Sequence, residues 1–137
     1  MASTLLIWDR EECPPKGEWV TVLWKDLNKG LKDVYSVHEV LEENAGILKK
    51  RYLGFIYTLG ETKIKDKRVI DHLEIRPGFS YWWMTLLNEK CNVSKSLQIP
   101  DVLKVMALRL LSKKIPPSKV ILISKNKTLK KTLSQVV

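Results

Sequence analysis

The sequence is poor in the groups that most often carry chemistry by themselves. Its 137 residues include two cysteines, Cys13 and Cys91, and two histidines, His38 and His72. The cysteines form no Cys-x-x-Cys pair and no metal-ligand spacing, so they read as free thiols in a reducing cytoplasm. Neither histidine has a second ligand at metal spacing, and no metal is expected. No Gly-x-Gly-x-x-Gly follows a strand, and Gly60-Glu61-Thr62 lacks the lysine and the glycine spacing of a phosphate-cradling loop. No nucleophile elbow marks a Ser–His–Asp system. Long apolar runs are missing too, so no segment is expected to span a membrane. The N-terminus meets Asp9 without a basic region and reads as a strand instead of a leader.

Acid is missing from the C-terminal quarter. Residues 1–101 carry 15 basic and 15 acidic side chains, whereas residues 102–137 carry nine basic ones and no acid, so the net charge of +9 lies entirely in the last 36 positions. Such a block attracts nucleic acid, anionic headgroups or a phosphorylated substrate. It equally suits the solvated face of a terminal helix, or a contact with sequence beyond this chain. No aromatic residue follows Trp83, which counts against a base-stacking nucleic-acid reader in this region.

What is present is a globular composition, 45% hydrophobic and 28% charged, in a length that suits one domain. Thr4–Trp8 reads as a buried strand, Glu11–Gly17 as a loop, and Trp19–Trp24, rich in β-branched and aromatic residues, as a second strand. Ser36 followed by Glu39 forms a capping box. The apolar positions Val37, Val40, Leu41, Leu48, Tyr52, Phe55, Ile56 and Leu59 then predict one long helix, with Gly60 as its left-handed stop. Lys63–Arg68 is a charged connector, and Val69–Ile75 is compatible with strand or helix. Pro77-Gly78 forces a turn, after which Ser80 can cap a helix running to about Lys90. Pro100-Asp101 opens a helix whose stripe is Leu103, Met106, Ala107, Leu110 and Leu111, and Pro116-Pro117 ends it. Lys119–Ser124 reads as a buried strand, and a basic helix starts at Thr128. Apolar strands separated by helices predict an α/β domain with a mainly parallel sheet. The chain ends within what reads as a β–α unit, as the start of a longer protein would.

Two neighbouring segments carry the candidate site. Phe79, Tyr81, Trp82 and Trp83 crowd into five positions, either as the keystone of a core or as a platform for a planar or sugar-like ligand. On a helix Trp82 and Trp83 point about 100° apart, so one can be core while the other lines a cleft. If Asp71–Arg76 is a strand, His72, Glu74 and Arg76 share a face, giving an acid/base and anion-holding set or a solvent-facing polar edge.

Glu43-Asn-Ala45, Arg51-Tyr-Leu53, Leu59-Gly-Glu61, Ile70-Asp-His-Leu-Glu74 and Gly78-Phe-Ser-Tyr-Trp-Trp-Met-Thr-Leu-Leu-Asn-Glu-Lys90 resemble a bacterial surface carbohydrate (O-antigen) biosynthesis family, over most of the chain. The resemblance implies a glycosyltransferase-like protein with two Rossmann-type domains in a GT-B-like arrangement, of which this chain is the N-terminal, acceptor-side one. It implies a carbohydrate or lipid-linked sugar acceptor. It also implies no cofactor in this chain, the nucleotide-sugar donor being held by a missing C-terminal domain. In that setting His72 or Glu74 is the expected base, Arg76 holds an anionic group, and Tyr81 with Trp83 forms the platform. Trp82, Glu89 and Lys90 complete the expected substrate-binding set. The basic block would then face an anionic inner-membrane surface or the absent domain. The rival expectation is a nucleic-acid-binding or protein-interaction module without catalysis.

Overall fold

The computed structural model describes residues 3–25, 31, 34–89, 92–96 and 98–136. Where length suggests one domain, the chain forms two compact units. Unit 1 joins residues 1–45 to 101–137, and unit 2 is the continuous stretch 46–100.

Unit 1 is the α/β part, compatible with a Rossmann-like fold. Strands β1 (Ser3–Asp9), β2 (Val20–Leu23), β3 (Val34–Ser36) and β8 (Pro117–Ser124) form a parallel sheet in the order β3-β2-β1-β8. Central β1 is covered on both faces, which is why Leu5-Leu6-Ile7-Trp8 is continuously apolar and buried. On one face Leu6, Trp8 and Leu23 form a cluster joined by Trp19, Val34, Ile121 and Ile123. Trp19 belongs to the irregular loop 10–19, which joins β1 to β2 without a helix. A Cβ on Gly17 would meet the Trp19 ring at 2.3 Å, so only glycine lets that ring fold back on its own loop.

Strand β8 is longer than Lys119–Ser124 and is half-exposed, not buried, because it is the sheet's edge. Pro117, at its first position, is tolerated there and lies beside a register shift opposite Ser3 and Thr4. Helix α6 (Lys127–Val136) follows, anchored by buried Leu129 and Leu133.

The long helix expected from Ser36 to Gly60 is two helices, α1 (Val37–Glu43) and α2 (Ala45–Glu61). Ser36 does cap α1, accepting from His38 N at 3.2 Å. Asn44 ends the first run outside helical dihedrals, at φ −112° and ψ 19°, with its backbone N and its side chain both donating to Val40 O, at 3.2 and 2.7 Å.

In unit 2, α2 runs through Gly60, which is no left-handed stop. A Cβ there would approach Ile70 and the Trp82 indole nitrogen to 3.0 Å, so the glycine permits close packing. The connector 63–68 is a tight hairpin, β4 (Lys63–Ile64) with β5 (Lys67–Arg68), turned by Lys65 and Asp66 at positive φ. Next come a helical turn α3 (Val69–His72) and a second hairpin, β6 (Glu74–Arg76) with β7 (Phe79–Ser80), turned at Gly78, φ 76°. Ser80 caps not a helix to Lys90 but a 3-10 turn, Tyr81–Met84, closed by bonds from Thr85 and Asn88 to Trp82 O. A short α4 (Asn92–Lys95) precedes α5 (Gln98–Lys114). The buried face of α5 in unit 1 centres on Ala107, Leu108 and Leu111, while Leu103, Met106 and Leu110 of the expected stripe are only half-buried.

Arg68 is the electrostatic hub of the first hairpin. Its guanidinium meets Asp71 at 2.8 Å through two nitrogens and Glu61 at 3.1 Å. Hydrogen bonding to Arg68 holds the Asp71 carboxyl below the usual carboxylate range, and the two acids raise Arg68. A carboxylate depressed in the folded state adds stability above its unfolded pKa and loses it as pH falls through the folded one. The amide shifts of residues 61–72 are therefore expected to hold their native positions at neutral pH and to move together below about pH 4. An unchanged acid response in Asp71→Asn would count against this assignment.

Candidate functional site

Ligands of open parallel sheets bind outside the carboxyl ends of the strands, where the strand order reverses. In unit 1 the chain steps from β1 outward to β2 and β3, then returns to β8 on the other side of β1. The reversal falls between β1 and β8, whose last residues, Asp9 and Ser124, are in register. Ser124 Oγ donates to Asp9 Oδ2 at 2.5 Å and accepts from Asn126 N at 2.9 Å. Asn126 in turn caps α6, its Oδ1 accepting from Leu129 N at 3.1 Å. One chain of hydrogen bonds thus fixes the Asp9 carboxylate against the start of α6.

These residues border a crevice of about 490 Å³, whose walls also include Arg10, Trp24, Lys104 and Lys125. Trp24 is buried and is tied by its backbone to β1, Trp24 N donating to Trp8 O at 2.9 Å. The Lys104 ammonium stands 5.6 Å from the Trp24 ring centre, a cation–π contact that aims it. Arg10 keeps a buried Nε without a hydrogen-bond partner among the described residues. Glu11, Glu12 and Asp101 join Asp9 on the acidic side, and Lys25 joins the cations, so the walls carry four charges of each sign. Such a lining suits a ligand with both hydroxyls and an anionic group better than a polyanion.

The residues singled out from sequence all belong to unit 2. His72 ends α3 and does not share a strand face with Glu74 and Arg76, because the apolar pair Val69-Ile70 is drawn into a helical turn ahead of β6. The His72 ring bonds through Nε2 to Ile64 O at 2.7 Å, tying α3 to the first hairpin. Glu74 accepts from Gly78 N at 2.9 Å across its own turn. The Arg76 guanidinium stacks 5.1 Å from the Phe79 ring centre. Trp82 is buried at 4% exposure, while Tyr81 and Trp83 stand 50% and 60% exposed, so the pair divides between inside and outside as adjacent rings must. Glu89 pairs with Lys95. Lys90, like Cys91, lies outside the described residues. No group of three or more His, Cys, Asp or Glu side chains is placed to hold a metal ion among the described residues. No helix among them is long and apolar enough to cross a membrane.

Sequence reading missed Asp9, Ser124 and Asn126. The available signal was an acid closing one apolar strand and a Ser-Lys-Asn closing another, which acquires meaning only once β1 and β8 are known to be neighbours. Compared with family models, curated proteins and solved structures, the chain matches none.

Proposed function

We propose that this chain is the acceptor-side, N-terminal part of a glycosyltransferase-like enzyme of bacterial surface polysaccharide (O-antigen) assembly. Its parallel sheet is then the first half of a two-domain, GT-B-like architecture working on the cytoplasmic side of the inner membrane. The resemblance of Gly78–Lys90 and the shorter strings before it supports the family. The observation that carries the chemistry is Asp9, a carboxylate at the strand-order reversal, bordering a crevice walled by both acids and cations.

The acceptor, a carbohydrate or lipid-linked sugar, sits in this crevice with one hydroxyl at Asp9 and an anionic group toward Lys104 and Lys125. As the acceptor oxygen bonds to the anomeric carbon of a nucleotide-sugar, the nucleoside diphosphate leaves with the bonding electron pair, and Asp9 takes the hydroxyl proton. The donor belongs to a second domain, so this chain alone turns nothing over. His72 and Glu74, the bases expected from sequence, serve in this reading to tie the first hairpin to α3 through Ile64 O and to close the second hairpin's turn through Gly78 N.

Deleting the gene in the parent bacterium should shorten or abolish the surface polysaccharide ladder on gels, and the wild-type gene should restore it. A full-length ladder in the deletion strain would refute the assignment.

A further inference from the structure

Among the described residues, eleven of the fourteen large apolar side chains that stand exposed lie in unit 2, within residues 46–100. That stretch is well under half of the chain, so the apolar surface is concentrated and not scattered. Its densest part is one short segment. Ile75, Tyr81, Trp83, Met84 and Leu86 are between 45% and 63% exposed. The segment is held firmly: Tyr81 N donates to Leu73 O at 2.8 Å, Ser80 Oγ to Ile70 O at 2.6 Å, and Asn88 Nδ2 to Trp82 O at 2.7 Å. Buried Trp82 anchors it from within. The rings are therefore presented outward by a fixed scaffold, and a patch of this kind marks an interaction surface.

Charge identifies the occupant. Residues 46–100 carry ten basic and five acidic side chains. Glu61 and Asp71 pair with Arg68, and Glu89 with Lys95, which leaves eight basic side chains and two acidic ones. Lys63, Lys65 and Lys67 lie on the hairpin that His72 ties to α3, and Arg76 lies on the apolar segment itself. A second copy of this chain would bring like charge against like. Sugar hydroxyls would gain nothing from the aliphatic Ile75, Met84 and Leu86. An anionic bilayer suits all the parts: Trp and Tyr settle at headgroup depth with ring buried and polar tip wet, Met and Leu reach the acyl boundary, and lysines meet the phosphates.

We propose that unit 2 docks peripherally on anionic lipid through Ile75, Tyr81, Trp83, Met84 and Leu86, with Arg76 and the lysines of the β4–β5 hairpin supplying the charge. This role is independent of the sugar chemistry assigned to unit 1, and it puts membrane contact on unit 2 instead of the basic C-terminal block.

The test is co-sedimentation of the full chain with vesicles of phosphatidylcholine, with and without about one-third phosphatidylglycerol. Binding is expected only with the anionic lipid, and should weaken steeply with salt. The double variant Trp83→Ser, Met84→Ser should lose about tenfold or more in vesicle affinity while keeping its circular dichroism and melting temperature. Lys65→Glu with Lys67→Glu should weaken binding without touching the apolar segment. Absence of binding, or binding indifferent to the Trp83/Met84 pair, overturns the proposal. So does a dimer in solution that this pair dissolves, or retention of a soluble oligosaccharide through Trp83 with no lipid present.

Discussion

Replacing Trp82 with alanine is expected to destabilise unit 2 by about 3–5 kcal/mol, the range for emptying the space of a buried large aromatic. Trp82 is 4% exposed, and its indole lies close to Gly60 and Ile70. The backbone that carries Trp82 is itself fixed by the hydrogen bonds that converge on Trp82 O from Thr85 and Asn88, so it does not readily move in to fill the space. The matched control is its neighbour: Trp83→Ala, at a position 60% exposed, should change stability by no more than about 0.5 kcal/mol. Denaturant unfolding of both variants, read with hydrogen exchange on residues 52–88, separates the two roles. Equal losses would mean that the adjacent tryptophans do not divide into anchor and presented ring.

The second large effect concerns Asp9. Asp9→Asn keeps the size of the side chain and an oxygen to accept from Ser124, but removes the ability to take a proton. In the two-domain transferase proposed above, turnover is expected to fall by about 10²–10⁴-fold, the usual contribution of a positioned general base, with the melting curve preserved. Glu74→Ala should behave in the opposite way, loosening the β6–β7 turn by freeing Gly78 N while leaving turnover per folded molecule close to wild type. Retention of full turnover by Asp9→Asn, together with a collapse in Glu74→Ala that is not a folding defect, would move the chemistry to unit 2.

Elements whose signal is local were legible in the sequence. β1, β2 and α6 fall where apolar runs and polar starts put them, and Ser36 caps its helix, though through His38 N and not as the reciprocal pair with Glu39 that the spacing predicts. Errors arose where a local competitor or a distant neighbour decides the outcome. Periodicity carried the helix straight across Asn44, because hydrophobic spacing cannot register a polar residue that leaves helical dihedrals and folds its side chain back onto the Val40 carbonyl. Gly60 looked like a stop because glycine ends many helices; its actual reason is the Trp82 indole, whose nitrogen would stand 3.0 Å from a Cβ at this position, 22 positions further along the chain. β8 looked buried because Val-Ile-Leu-Ile is the composition of a central strand, yet nothing in composition says which strand is last in the sheet. The crevice was invisible for the same cause: its two central residues, Asp9 and Ser124, are 115 positions apart.

That separation also sets an order of events on the ribosome. Unit 2 is continuous, so all of its contacts can form as soon as its own residues have emerged. Unit 1 is split around it, and β1, the most apolar strand of the sheet, leaves the exit tunnel far ahead of β8. At about 5–20 residues per second, β1 waits on the order of ten seconds for the strand that covers its second edge. During that interval its only strand partner is β2, and its other edge, ending in the carboxylate of Asp9, stands open to any passing strand. The nascent chain is thus most vulnerable before residue 117 appears, and a chaperone that shields Leu5–Trp8 during synthesis would raise the yield of native protein more than any aid given after release.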